Sequence, residues 1–373
     1  MGINIGVATS GGDAPGMNAC VRTIVKAGLN KGNVNIFGIR DGILGLIRGG
    51  DGDFRKLLAD DVRNIINLSG TILGTSRLAQ IKLYLSNKAN LPSNNNELSD
   101  KMIQRGLLSV RKNIHKYKLE GLILIGGDDT CKAAHLVNHI FNNKFPICVI
   151  PATIDNDIQG SDITIGFDSA VSSALHAIDL IRATATSHKR LFIVEVMGRR
   201  HGYIGLEVGL SSGAEEILIP EVDYYEKDLK KMAKRLINAF HKGQRSALII
   251  VAEGVNFNLP DKKKESAAYT LAGFLQNEIR DWEIRVSVIG HIQRGAVPTF
   301  STRILASEMG ALAFDKIYKS IKIVHQAETE SKFPILIGKK GMRYFWQEIS
   351  DPPTKPHDRK LVLRRKRFEF LSY

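Results

Sequence analysis

Two aspartates bracket an asparagine in Pro151-Ala152-Thr153-Ile154-Asp155-Asn156-Asp157, directly after the apolar run Ile147–Ile150. Carboxylates two residues apart in a loop can supply a general base and a partner that orients it, which activation of a phosphoryl-acceptor hydroxyl requires. The same residues also build Asx-turns, but their strand-end position, beside a second acidic strand end, favours the catalytic use. That second segment is Gly126-Gly127-Asp128-Asp129-Thr130, which closes Gly121–Ile125. Adjacent carboxylates beside a glycine pair are costly unless a cation or a donor neutralises them. Mg²⁺ binds through one or two carboxylates, its own waters and substrate phosphates, so Asp128 is the candidate magnesium residue. A helix N-cap is the other use of one of these aspartates.

A third segment, Ser10-Gly11-Gly12-Asp13-Ala14-Pro15-Gly16-Met17-Asn18, leaves a first strand and opens a helix. Its glycines let backbone N–H groups approach an anion at a helix N-terminus. A tight strand-to-helix turn would use the same residues. The segment has neither the GK[ST] of a Walker A loop nor a GxGxxG fingerprint. Basic residues gather at or near other strand ends: Arg190, Arg199 in Met197-Gly198-Arg199-Arg200-His201-Gly202, Arg285, and His291 with Arg294 in Gly290-His291-Ile292-Gln293-Arg294-Gly295. Any one alone reads as a surface residue. Together they suit a sugar-phosphate pocket, because the guanidinium fork gives a phosphate two bonds at once. Glu253, after Ile249-Ile250-Val251-Ala252, is placed to accept from sugar hydroxyls.

The elements that must hold these residues are short, β-branched runs alternating with helix-length stretches. Ile3–Thr9, Gly121–Ile125, Ile147–Ile150, Leu191–Val196, Ile217–Pro220 and Ala247–Ala252 read as buried strands, and continuous apolar runs belong to parallel sheets covered on both faces. Val21, Ile24, Val25 and Gly28 fall on one face of a following helix. The expected class is therefore α/β, doubly wound, with a mainly parallel sheet. In such sheets ligands bind beyond the carboxyl ends of the strands, where the candidate residues cluster. Asn90–Asp100, rich in Asn and Ser, reads as a surface loop.

The chain has 373 residues with 43% hydrophobic content, as expected of a globular protein with a large core. Cys20, Cys131 and Cys148 form no CxxC pair, which fits a reducing, cytoplasmic setting. No apolar run suits a membrane span, and the first residues lack a signal-peptide pattern. The formal net charge is +14, from 52 Lys and Arg against 38 Asp and Glu. Such a balance suits anionic substrates or nucleic acid; aromatic residues are not interleaved with the basic ones as a nucleic-acid stacking platform requires. Part of the excess lies in Arg359–Arg367, which reads as a solvated or disordered tail.

SGGDAPGMN, GGD, PxTIDND, TIGFDSA, SHKR, VEVMGRRHG, AEG and GHIQRG occur here in the order seen in 6-phosphofructokinases, and over roughly residues 3–315 the chain resembles that family. The resemblance implies two similar doubly wound α/β domains that exchange segments, with the active site in the interdomain cleft. They would hold residues 1–166 plus 292–343 (donor and Mg²⁺) and 167–291 plus 344–373 (sugar phosphate). It implies direct, in-line transfer to the C1 hydroxyl of fructose 6-phosphate, with Mg²⁺ as cofactor. Carried over by position, Gly11, Gly12, Arg77, Gly127, Asp128, Asp129, Thr130 and Ala152 would face the donor. Asp155 would be the base, with Thr153 and Asp157 beside it, and Asp129 and Arg199 would join the catalytic set. Met197, Gly198, Arg199, Glu253, His291 and Arg294 would hold the sugar phosphate. Arg190 and Arg285 match positions that reach a neighbouring subunit's site, implying a homodimer or homotetramer.

At the donor side the chain departs from the family pattern. ATP-using members usually carry glycine at the positions of Asp129 and Ala152, and pyrophosphate-using members Asp and Lys. Arg40 stands where a tyrosine often meets adenine. A carboxylate at 129, if partly buried, would repel the α-phosphate of ATP by several kcal/mol, so pyrophosphate is the expected donor and ATP the alternative. A paralogue using another sugar phosphate, such as sedoheptulose 7-phosphate, or serving as a regulatory subunit, is a further alternative. Arg22, Lys26, Arg182 and Glu215 match effector-binding positions, with Gln244 replacing a usual lysine.

Overall fold

The computed structural model describes residues 2–89, 100–259, 266–280, 282–325, 333–349, 351 and 353–369. In chain order, β1 is Ile3–Ser10, α1 Met17–Asn30, β2 Val34–Ile39, α2 Gly42–Arg48 and β3 Phe54–Lys56. There follow α3 Leu78–Ala89, α4 Asp100–Lys116, β4 Gly121–Gly126, α5 Asp128–His139, β5 Ile147–Thr153 and β6 Ile165–Gly166. Next come α6 Phe167–His188, β7 Arg190–Val196, α7 Tyr203–Ser212, β8 Glu216–Leu218, β9 Tyr224–Tyr225 and α8 Glu226–His241. The last elements are β10 Ala247–Ala252, β11 Phe257–Asn258, α9 Ala267–Glu278, β12 Glu283–Val288, α10 Phe300–His325, β13 Ile335–Lys340, β14 Arg343–Glu348 and α11 Arg359–Glu369.

The chain divides into two units, residues 1–166 with 297–355 and residues 167–296 with 356–373. The first is built on a sheet of order β14-β13-β5-β4-β1-β2-β3, with β6 beside β5. Its central strands β5, β4, β1 and β2 run parallel. Every residue of β4 and β5 is buried, so a strand such as Ile-Cys-Val-Ile is held by side chains each contributing about 1.5–3 kcal/mol of burial. The expected face of α1 packs inward: Val21, Ile24, Val25 and Gly28 are all buried. A Cβ on Gly28 would stand 2.7 Å from Ile36 Cγ1, so glycine there lets α1 lie close on β2.

The sheet of the second unit has the order β12-β7-β10-β8 and is parallel throughout. Its core joins Leu191, Ile193, Ile249 and Val251 to Leu229, Met232 and Leu236 of α8 and to Leu271 and Leu275 of α9. Each unit thus carries a wholly or mainly parallel sheet flanked by helices, the expected α/β class. All three cysteines are buried thiols. No helix among the described residues is long and apolar enough to cross a membrane.

The structure differs from the sequence pattern in several places. Strands β2, β12, β13 and β14 carry no uniform apolar run; β12 alternates exposed and half-buried residues, so a search for continuous hydrophobicity passes over it. The pattern places the fifth of its strands at Ile217–Pro220, whereas β8 is Glu216–Leu218. Residues 344–355 go with the first unit, not the second, because β14 pairs antiparallel with β13 from Ile335↔Glu348 to Lys340↔Arg343, and residues 292–296 go with the second unit, not the first. The basic run at 359–367 is not an unstructured tail but helix α11. Leu361 is buried, Arg364 pairs with Glu207 on α7, and Arg365 donates from Nε to Ile217 O at 2.6 Å. Of the loop expected at Asn90–Asp100, residues 90–99 lie outside the described residues, and Asp100 opens α4.

Candidate active site

In the first unit the three candidate loops leave the carboxyl ends of the neighbouring strands β1, β4 and β5. Ser10 pairs with Gly126 and Gly126 with Pro151, so the ends are level. β1 lies between β2 and β4, which makes the β1–β4 boundary a topological switch point, the usual ligand position in an open α/β sheet. Gly11 has φ 87°, its N–H donates to Ser76 O at 3.0 Å, and its carbonyl accepts from Thr75 Oγ1 at 2.8 Å. Arg77 and its Thr-Ser neighbours are thereby tied to the first loop. A Cβ on Gly11 would lie 3.7 Å from Thr130 Oγ1 and 3.9 Å from Gly127 N. Thr130 Oγ1 in turn donates to Ser10 O at 3.2 Å. A Cβ on Gly127 would stand 3.6 Å from Thr153 Cβ. Gly11, Gly127, Thr130, Thr153 and the Arg77 segment therefore share one small region, with Gly12 next along the first loop and Asp128 and Asp129 opening α5.

Asp155 and Asp157 are 5% and 4% exposed. Asn156 between them has φ 53°, a conformation that a non-glycine residue keeps only when its surroundings fix it. Those surroundings are Thr164 Oγ1 donating to Thr153 O at 2.6 Å, Asn156 Nδ2 donating to Asp162 O at 3.1 Å, and Asp155 N donating to Thr153 Oγ1 at 3.2 Å. Ala152 is fully buried, with its backbone paired to Ile165 of β6.

The environment of Asp129 changes the charge argument about the donor. Its side chain is 46% exposed, and Lys132, one helical turn on, places Nζ 3.7 Å from Asp129 and 3.5 Å from the less exposed Asp128. Repulsion of several kcal/mol belongs to a buried, uncompensated carboxylate. For a half-exposed one beside an ammonium the figure falls to about 1 kcal/mol. Asp129 is therefore compatible with a nucleotide triphosphate. Arg40, at the end of β2, is exposed.

In the second unit the acceptor candidates leave β7, β10 and β12. Glu253, after β10, accepts from the backbone N–H of Gly198 at 3.3 Å and of Arg199 at 2.7 Å. Gly198 has φ 148° and Arg199 φ 54°, and a Cβ on Gly198 would stand 2.5 Å from His201 O. Two successive positive-φ residues, of which Arg199 is the strained one, donate to one carboxylate, so Glu253 shapes the loop. Met197 N donates at 2.8 Å to Oε1 of Gln293, which is wholly buried. Gly202 N donates to Glu221 Oε1 at 2.8 Å. His291, Gln293 and Arg294 share a short helical turn in which Arg294 N donates to His291 O at 3.0 Å. Met197, Gly198, Arg199, Glu253, His291 and Arg294 are thus joined through a single hydrogen-bonded framework.

Arg190 and Arg285 stand apart from that framework. Arg190 opens β7, at the opposite end of the strand from Met197, and Arg285 sits on β12 across from Phe192. Both pair with Glu283, whose carboxyl the Arg190 hydrogen bond holds below its ordinary value. Of the effector-matching residues, Arg22 and Lys26 lie on α1. In the second unit Arg182 donates to Ser212 O and Gly213 O, while Glu215 accepts from Gln244 Nε2 and Leu248 N. Gln293, Glu221 and Lys132, which bond to Met197, Gly202 and the Asp128–Asp129 pair, are not singled out by the motif pattern. Gln293 at least lies inside the GHIQRG segment, whereas Lys132 reads as one more helix-surface lysine.

The family model for phosphofructokinases matches residues 4–317. Among curated relatives, the ATP-dependent 6-phosphofructokinase of Thermotoga petrophila is 41% identical over 313 residues, 84% of this chain and 86% of that protein. The enzyme of the same name from Bacillus licheniformis is 42% identical over 311 residues, 83% of this chain and 85% of that one. Among solved structures, a Pichia pastoris phosphofructokinase has a TM-score of 0.76 at 28% identity, covering the whole of this chain but 36% of its own. A pyrophosphate-dependent phosphofructokinase from Marinobacter aquaeolei has a TM-score of 0.68 at 18% identity, covering 92% of this chain and 81% of that one, and shares the fold. With a family match over residues 4–317 and relatives 41–42% identical over more than four fifths of its length, the chain belongs to the phosphofructokinase family.

Proposed function

We propose that this protein transfers the terminal phosphoryl group of ATP to the C1 hydroxyl of fructose 6-phosphate. The observation that carries the choice of donor is Lys132 beside Asp128 and Asp129, which offsets the charge that would otherwise oppose a nucleotide. The ATP-dependent names of relatives about as similar as 41–42% point the same way. A second reading, with pyrophosphate as donor, is favoured by Asp129 itself.

In this reading Asp155 accepts the proton of the C1 hydroxyl as its oxygen attacks, and its near-complete burial keeps the carboxylate aimed. Asp157 and Thr153 hold the loop that presents it. Arg77 and the N-terminal turn of α5 meet the donor phosphates, where positioning and neutralised charge supply most of the rate. Asp128, a carboxylate at the first turn of α5 whose side chain is 16% exposed, fits a Mg²⁺ that it would hold together with donor phosphates and waters. Bound there, Mg²⁺ would neutralise charge on the transferring phosphoryl group. Arg199, His291 and Arg294 hold the sugar phosphate, on a loop fixed by Glu253 and Gln293. Arg190 and Arg285, remote from that loop within their own unit, serve the site of a second subunit in a homo-oligomer.

The test is a donor comparison: purified protein, Mg²⁺ and fructose 6-phosphate, with ATP or pyrophosphate, assayed for fructose 1,6-bisphosphate. Turnover with ATP and little with pyrophosphate is expected. Turnover with pyrophosphate alone would establish the second reading, and activity only with a different acceptor, such as sedoheptulose 7-phosphate, or with none would overturn the assignment.

A further inference from the structure

A short stretch near the end of the chain pairs with the loop that carries Asp155 and Asp157. Gln159 N donates to Pro353 O at 2.7 Å, Lys355 N donates to Asp157 O at 2.6 Å, and Ile158 and Thr354 form an antiparallel bridge. Lys355 Nζ then donates to the carbonyl of Asn156 at 2.8 Å, across 199 residues of sequence. One residue therefore binds two successive carbonyls of the loop, one through its main chain and one through its ammonium. The carbonyl under the ammonium belongs to Asn156, the left-handed residue between the two aspartates. Any residue but proline at 355 supplies the main-chain N–H. Only a long cation supplies the second bond, which as a charge-assisted one is roughly twice as strong as a neutral bond.

The peptide that follows Asn156 leads directly into Asp157, and the one before it leads from Asp155, so its orientation sets where both carboxylates point. A conformation of this kind persists only when over-determined by its surroundings. Apart from Lys355, the described bonds to Asn156 run through its own side chain, to Asp162 O and from Thr164 Oγ1; the ammonium acts on its backbone. We propose that Lys355 is a positioning residue for phosphoryl transfer, holding the loop so that Asp155 meets the acceptor hydroxyl in line. The proposal rests on the reading of Asp155 as the base.

Lys355→Met is the informative variant, since it keeps the stem and the main-chain donor and removes only the ammonium. With ATP and fructose 6-phosphate, kcat should fall by about 10- to 100-fold, the scale of an ångström-sized misplacement, while KM for fructose 6-phosphate stays within about threefold. Amide exchange over residues 155–159 should quicken, and Lys355→Arg should restore most of kcat. A Lys355→Met enzyme with kcat within twofold of wild type and unchanged exchange would overturn the proposal. So would equal losses in Lys355→Met and Lys355→Arg accompanied by a lowered Tm, which would mark a purely structural lysine. If the wild-type protein phosphorylates no sugar, the reading of Asp155 falls separately. Exchange then decides whether the lysine holds the loop: faster in Lys355→Met supports it, unchanged refutes it.

Discussion

Replacing Lys132 by methionine should weaken the use of both donors, and the geometry fixes how much. Its Nζ lies 3.5 Å from Asp128 and 3.7 Å from Asp129, with side-chain exposures of 57%, 16% and 46% for the three residues in that order. At the exposure of Lys132 and Asp129 the effective dielectric is close to that of water, and two unit charges about 4 Å apart interact by about 1 kcal/mol, with more at the less exposed Asp128. Methionine leaves two carboxylates at the first turn of α5 without their ammonium as an anionic donor arrives. The added repulsion is about 1–2 kcal/mol, which corresponds to a fall in kcat/KM for ATP of about 5- to 30-fold. Pyrophosphate, with its charge concentrated on two phosphates, should suffer at least as much. Because Lys132 and Asp129 are half exposed, the deficit should shrink as salt is raised from 0.05 to about 0.5 M, where the screening length is only a few ångströms. Lys132→Arg should behave like wild type. The assay is coupled detection of fructose 1,6-bisphosphate over a matrix of donor and salt concentrations. A Lys132→Met enzyme whose kcat/KM is within twofold of wild type for both donors, at low salt, would refute the charge compensation and return Asp129 to the role of an excluder of ATP.

Three further outcomes follow from single residues. Glu253→Ala removes the acceptor for Gly198 N and Arg199 N; at about 1.5–3 kcal/mol for a bond to a charged group, kcat/KM for fructose 6-phosphate should fall by about 10- to 100-fold, read by steady-state kinetics. Glu215 has its carboxyl raised above the usual range chiefly by burial. The folded protein therefore binds its proton more tightly than the unfolded chain does. Stability from this group is full below the ordinary glutamate value and is lost as pH rises through the raised one, a slope that urea midpoints should show and that Glu215→Gln should abolish. Leu361 is a buried residue of α11, so Leu361→Ala should cost about 2–3 kcal/mol in denaturant unfolding, whereas Arg364→Ala, which breaks a half-exposed pair with Glu207, should cost less than about 1 kcal/mol.

Much of this architecture can be read from residue order because its strands are buried on both faces. Ala247–Ala252 is uniformly apolar and is the strand β10, residue for residue. Gly11, Gly127, Asp155, Glu253 and Arg199 all sit just past strand ends, where a parallel sheet delivers its ligand-facing loops. What periodicity does not carry is pairing across long separations. Lys355 meets the base loop only because Thr354 bridges Ile158, and no local pattern around either residue announces it. Helix α11 is missed for a related reason: its basic composition suggests a solvated segment, and what orders it is Glu207 and the Ile217 carbonyl, supplied by distant elements. Lys132 is legible as a helix-surface charge and becomes a donor-side group only once α5 is seen to begin at Asp128. Asp129 shows the converse error: exposure cannot be read from sequence, so a repulsion reckoned for a buried carboxylate is excessive for one that is 46% exposed beside Lys132.

The most direct test of the central claim is transfer of labelled γ-phosphate from ATP to fructose 6-phosphate by the wild-type protein and by Asp155→Asn, measured side by side with their thermal unfolding. The wild-type protein should form fructose 1,6-bisphosphate labelled at C1. Asp155→Asn should do so at least about a thousandfold more slowly, within the range attributed to a general base, at an unchanged Tm. A wild-type protein that labels no sugar phosphate, or an Asp155→Asn variant that keeps more than a tenth of the rate, would contradict the account.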